Sequence, residues 1–180
     1  MYRRLLVALA AVALTLTVVV SVTSGAGPKN FVTPLNGGEE VPARDTHAHG
    51  VAHFKLSADG TELSYKLIAS NIDNVVQAHI HFNAPPGANA GIIVWLFPAP
   101  PAAPVALTPP GVESQNGVLA TGVIRADQFV NAFAGRSMAD LVAALQSGEA
   151  YVNVHTNDGL DGSNSGPGDF PGGEIRGQID

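Results

Sequence analysis

The sequence predicts an all-β fold, an antiparallel β-sandwich or Greek-key barrel with one short helix. Three observations carry that expectation. Short runs alternate apolar and polar residues with the period of a strand. Turn-forming residues punctuate them, with 20 Gly and 13 Pro in 180 residues. A single stretch repeats its apolar residues at helical spacing. Many short strands with sparse helix suit two packed sheets or a sheet closed on itself, and the length suits one domain.

Residues 1–26 stand apart from that domain. Arg3 and Arg4 precede an apolar run from Leu5 to Val20, and small residues follow, with Ser24 and Ala26 as a small-x-small pair. This is the order of a secretory signal peptide cleaved after Ala26. The alternative is an uncleaved anchor, for which the run falls short of the about 20 apolar residues a bilayer asks for. Losing Arg3 and Arg4 and no acid takes the formal charge from −6 to −8. An acidic domain argues against nucleic acid and against anionic lipid. With no Cys, neither a disulfide nor a cysteine lipid anchor is available, so the core must supply the stability.

The domain is expected over residues 32–180. In His49–Leu56, Gly50, Ala52, Phe54 and Leu56 share one face, with His49, Val51, His53 and Lys55 opposite. Asp59-Gly60 reads as a hairpin turn. Leu63, Tyr65, Leu67 and Ala69 line one face of Thr61–Ser70. In Val75–Phe82, Ala78, Ile80 and Phe82 oppose Gln77, His79 and His81. Gly91–Phe97 is apolar on both faces, which places Trp95 in the core. Pro98–Pro110 reads as a surface loop of polyproline character. Gly117–Ile124, Ala150–Thr156 and Glu174–Ile179 complete about seven strands. Ser137–Gln146 is the helix: Ser137 suits the N-cap, Gly148 follows its end, and Met138, Leu141, Val142 and Leu145 form a stripe.

Four segments carry a family resemblance: Leu35-Asn36-Gly37-Gly38-Glu39-Glu40-Val41-Pro42; Ala78-His79-Ile80-His81 with Ala84-Pro85-Pro86-Gly87 and Asn89-Ala90-Gly91; Tyr151-Val152-Asn153-Val154-His155-Thr156; and Pro171-Gly172-Gly173-Glu174-Ile175-Arg176-Gly177-Gln178-Ile179. In this order they resemble the CHRD (chordin-type) domain family across residues 32–180. The resemblance implies an extracellular β module, secreted, periplasmic or at the cell surface. It supplies fold and location better than chemistry. The chain departs from the family pattern at Thr46-His47-Ala48-His49-Gly50, which adds a second His-x-His.

The six histidines fall in three strand-like segments: His47, His49 and His53; His79 and His81; His155. Residues two apart on a strand point to the same side, so two imidazoles about 7 Å apart can approach one ion. A third from a neighbouring strand would complete a three-nitrogen site for copper or zinc. The expected ligands are His79, His81 and His155, with His47 and His49 as a second candidate pair and Glu174 as a ligand or an orienting partner. Copper/zinc superoxide dismutases use a His-x-His strand on a Greek-key barrel by analogy only, since neither their full ligand set nor their disulfide has a counterpart here. The competing reading is a polar network knitting these histidines to Glu174 and Arg176, itself a plausible ion pair. The Gly- and Asp-rich run from Asp158 to Asp169 is a loop, with calcium as a lesser reading.

No Gly-x-Ser-x-Gly, Cys nucleophile or P-loop is present. Glu39 and Glu40 are adjacent and point apart, so they form no acid–base pair. The first expectation is therefore a non-catalytic extracellular binding module for a protein or surface partner, with no nucleic acid, no stable membrane insertion and no cofactor. The alternatives are a copper- or zinc-binding protein on the His-x-His strands and, behind it, a metalloenzyme with a dismutase-like barrel.

Overall fold

The alternating segments pair into one antiparallel sheet that closes on itself. A computed structural model describes residues 29–98, 111–160 and 165–179. The export segment 1–26, most of the Pro-rich loop and residues 161–164 of the Gly/Asp run lie outside the described residues. In chain order the elements are β1 (Asn30–Asn36), β2 (His49–Leu56), β3 (Leu63–Phe82), β4 (Ile92–Phe97), β5 (Val112–Ile124), α1 (Met138–Gln146), β6 (Ala150–Thr156) and β7 (Ile175–Ile179). Among the described residues no helix is long and apolar enough to cross a membrane.

β3 organises the molecule. Its first half pairs with β2, from Leu56↔Leu63 to His49↔Ser70, and its second half with β6, from Val75↔Thr156 to Phe82↔Ala150. Val75 also pairs with Val112 of β5, so β5 and β6 occupy opposite edges. The strands β2, β1, β7 and β6 complete the circuit back to β3, joined at Asn36↔Arg176. β5 and β4 extend the sheet along the outer edge of β3.

Two expectations about strands need correction. Thr61–Ser70 and Val75–Phe82 are one 20-residue strand. Asn71 and Asn74 adopt φ of 53° and 54°, and the register against β5 shifts between Ala69 and Ile72. Asparagine tolerates the left-handed region as a single residue, so the chain bulges and bends between what were expected as two separate strands. The opening strand β1 was missed because Pro34 sits inside it. Pro34 occupies an exposed position opposite Val51, while Phe31, Thr33 and Leu35 turn inward.

The core follows the predicted faces. Ala52, Phe54, Leu63, Leu67, Ala78, Ile80, Val152, Val154, Ile175 and Ile179 are buried together. Trp95 is the exception: it is half-buried, outside that core, edge-on to His79 at 4.3 Å between ring centroids. α1 begins on a capping box, with the Asp140 N–H donating to Ser137 Oγ and the Ser137 N–H to Asp140 Oδ2. Its buried Met138, Leu141, Val142 and Leu145 join the core. Gly177 lets β7 meet β1: a Cβ there would collide with the Pro34 carbonyl and stand 2.8 Å from Thr33 Oγ1. The neighbouring contact is the Thr33 hydroxyl donating to the Gln178 carbonyl at 2.6 Å.

Candidate metal centre

The register of β3 against β6 sets the site. Ile80 faces Val152 and Ala78 faces Val154, all fully buried. With these turned inward, the alternate positions His79, His81, Asn153 and His155 share the outer face. His79 lies opposite Asn153, His81 opposite Tyr151 and Gln77 opposite His155, so His155 is the diagonal neighbour of His79.

That outer face is not in water. His79, His81, Asn153 and His155 are 0%, 6%, 4% and 8% exposed. The chain from Ala84 to Gly91 and the segment from Gly168 to Gly173 supply backbone groups against it, and Glu40 and Arg176 are buried beside it. The barrel thus carries a second, polar interior outside its apolar one.

The three imidazoles converge. Ring centroids lie 5.0 Å apart for His79–His155 and 5.6 Å for His79–His81. One ring nitrogen from each falls within 4.8 Å of the others, and no other group of three or more close ligand residues occurs among the described residues. Backbone carbonyls orient two of the rings. His155 Nδ1 donates to the Pro171 carbonyl at 2.8 Å, leaving the lone pair on Nε2, which is buried without a hydrogen-bond partner. His81 Nδ1 approaches the Ala90 carbonyl at 2.9 Å, and its Nε2 lies 2.9 Å from Asn153 Oδ1. A neutral ring has one N–H and satisfies one of these; a rotated Asn153 amide would instead donate to Nε2. Neither nitrogen of His79 has a partner, and each such orphan costs about 1–3 kcal/mol.

Burial determines the protonation. It pushes His79 down to about 2, with the neighbouring His155 and His81 adding to the shift. His155 falls to about 4, again mainly through burial, although its bond to Pro171 works the other way. His81 is lowered by burial as well, partly offset by its bonds to Ala90 and Asn153. All three are neutral lone-pair donors near pH 7, the form that binds a metal.

Aromatic and charged groups frame the rings. Tyr151 stacks on His81 with ring centroids 4.5 Å apart, and the Arg176 guanidinium lies over the Tyr151 ring at 3.5 Å from its centroid. Arg176 donates to the Ala88 carbonyl, Asn89 Oδ1 and Gln178 Oε1. Glu40 turns inward with Oε1 unpartnered, and burial lifts it to about 7 against the lowering pull of Arg176. Gly173, at φ 114°, makes room for it, since a Cβ there would strike Glu40 Oε1.

The other expected ligands lie elsewhere. Glu174 is fully buried, accepting from Thr46 Oγ1 at 2.6 Å, Thr156 Oγ1 at 2.7 Å and the Gly168 N–H at 3.0 Å. Its carboxylate tethers segments around the site and is not part of the three-ring group. His47, His49 and His53 are exposed, and the contact recorded for His49 is Nδ1 to the His47 carbonyl at 3.2 Å. Glu40, Trp95 and Tyr151 were not among the site residues expected from sequence. Glu40 stood next to an exposed acid, and the aromatic rings read as ordinary strand residues.

A family model described as the CHRD domain matches residues 31–179. No curated protein and no solved structure matches the chain.

Proposed function

The chain belongs to the CHRD domain family, and from that premise we propose that it is an exported module that binds one copper or zinc ion through His79, His81 and His155. The observation that carries this reading is the convergence of three buried, neutral imidazoles, with both nitrogens of His79 and Nε2 of His155 lacking a hydrogen-bond partner. A purely structural hydrogen-bond network would leave no reason for both nitrogens of His79 to be buried unpaired. His155 donates Nδ1–H to the Pro171 carbonyl, and His81 sets Nδ1 at 2.9 Å from the Ala90 carbonyl, the kind of outer contact that orients a metal-bound histidine. The basic, apolar and small-residue order of residues 1–26 supports export. The near-complete burial of the rings favours holding an ion over turning over a substrate, since catalysis needs an open coordination position.

His81 carries the competing reading, because protein groups face both of its nitrogens. On that reading the domain is a plain binding module. Isothermal calorimetry on the metal-free protein decides between them. One equivalent of Zn²⁺ or copper should bind at micromolar concentration or tighter, and replacing both His79 and His81 with Ala should abolish it. An unaltered isotherm in the double variant, or no binding by the wild type, would refute the metal reading.

A further inference from the structure

We propose that the three-histidine site is selective for monovalent copper and discriminates against Zn²⁺ and Cu²⁺. This rests on the metal reading above and narrows it to one ion and one oxidation state.

The donor set is the first argument. The group consists of three imidazoles, with no carboxylate or thiolate among them. Zn²⁺ completes four ligands, adding water where the protein offers three. Here the rings are 0%, 6% and 8% exposed, and His79 has the Trp95 ring against it at 4.3 Å. Water has no ready place at the fourth position. A d¹⁰ monocation is content with three ligands in a plane. Trigonal coordination at about 2.0 Å would bring the nitrogens about 3.5 Å apart. The present spacing, within 4.8 Å, closes to that by small ring movements. His79, held by no hydrogen bond through either nitrogen, is the ring free to make the largest one.

Charge is the second argument. The cost of burying an ion grows as the square of its charge, so a dication is about four times harder to desolvate than a monocation. A buried dication is normally offset by anionic ligands or by carboxylates bonded to its histidines. The groups facing Nδ1 of His81 and of His155 are the neutral carbonyls of Ala90 and Pro171. The carboxylate of Glu174 is engaged by Thr46, Thr156 and Gly168. Arg176 lies over the Tyr151 ring, which in turn stacks on His81, so one positive guanidinium already stands behind the site. Glu40 is the nearby acid that could balance a single added charge. The π faces and edges of Trp95 and Tyr151 tolerate a soft monocation better than a strongly hydrated dication.

Trp95 makes the test direct, because it is the sole Trp of the chain and touches His79. The metal-free exported protein is titrated anaerobically with Cu⁺ supplied as its bicinchoninate complex, and separately with Zn²⁺ and Cu²⁺ against chromophoric chelators, following chelator absorbance and Trp fluorescence. One equivalent of Cu⁺ should be taken from bicinchoninate with quenching of Trp95, and Cu⁺ should bind more tightly than either Zn²⁺ or Cu²⁺. Trp95→Phe should keep the stoichiometry and lose the optical signal. His79→Ala should lose Cu⁺ uptake, with its thermal midpoint reported alongside; if that variant does not fold, His79→Gln takes its place. Zn²⁺ binding as tight as Cu⁺ would overturn the selectivity and leave the metal site standing. Failure of all three ions to bind would overturn both. Undiminished Cu⁺ uptake in the folded His79 variant would place the copper elsewhere and overturn the assignment.

Discussion

A single histidine shows how burial turns a common surface residue into a neutral lone-pair donor. His155 occupies a strand position that alternation assigns to the outside, yet it is 8% exposed and neutral. The pH dependence of stability follows from the sign of these shifts. His79 and His155 have folded values near 2 and 4, below the ordinary 6.5. Below pH 6.5 the unfolded chain therefore takes up protons that the folded one refuses, and stability falls with acidification. Glu40 acts in the opposite sense between its ordinary 4.5 and its folded value of about 7, because there the folded state holds the extra proton. The two histidines outnumber it, and His81 is shifted in their direction. The metal-free protein should thus lose stability between pH 6.5 and 4.5, by roughly 1–3 kcal/mol per pH unit. Urea unfolding at a series of pH values checks this. A flat or rising stability on acidification across that window would show that the rings are not buried as neutral bases.

At the scale of an element, the seam between β1 and β7 is where the barrel closes. Both strands are short, and Gly177 brings their backbones close enough that a Cβ would collide with the Pro34 carbonyl. Gly177→Ala is expected to destabilise the domain by about 2–4 kcal/mol, because the obstructing atom is backbone and the β1 strand must shift. Gly60→Ala tests a different mechanism, since Gly60 has open space around it and pays only for its φ of 75°; its cost should be nearer 1 kcal/mol. Chemical denaturation of both variants compares the two, and equal costs would refute the steric account. β3 illustrates what alternation alone does not reveal. Its faces were legible in Leu63, Tyr65, Leu67 and Ala69 and again in Ala78 and Ile80. Its continuity was not, because Asn71 and Asn74 are as suited to a turn as to a bulge, and the pairing with β5 decides which one forms.

At the scale of the whole molecule, the barrel holds the two halves of the site through elements far apart in the chain. β3 and β6 contribute the rings, while Ala90 and Pro171 contribute the carbonyls that orient them. An ion bound there would tie the segments 84–91 and 168–173 to the barrel through the rings they contact and, if it binds only the folded state, would stabilise the whole domain. With free ion at 100 times its dissociation constant the gain is about 2.7 kcal/mol, which for a domain of this size raises Tm by about 5–10 °C. Differential scanning calorimetry with and without one excess of Cu⁺ or Zn²⁺ reads that shift. No change in Tm under saturating ion would mean the ion does not engage the folded site.

Residue patterns alone settled the class of the fold, the inward faces of most strands, the capped helix after Ser137 and the outward direction shared by His79, His81 and His155. These are local consequences of period two, period 3.6 and turn chemistry, and they are written in neighbouring residues. The tertiary structure decided what is not local: that β3 runs unbroken, that Pro34 lies within a strand, that Trp95 stands beside His79 and not in the core, and that Glu174 is spent on Thr46, Thr156 and Gly168 while Glu40 turns inward. It also decided that the outer face of β3 and β6 is covered. Strand periodicity says which side of a sheet a side chain takes, but it does not say that the loops at 84–91 and 168–173 fold back over that side, and only their packing converts a polar face into a buried set of neutral imidazoles.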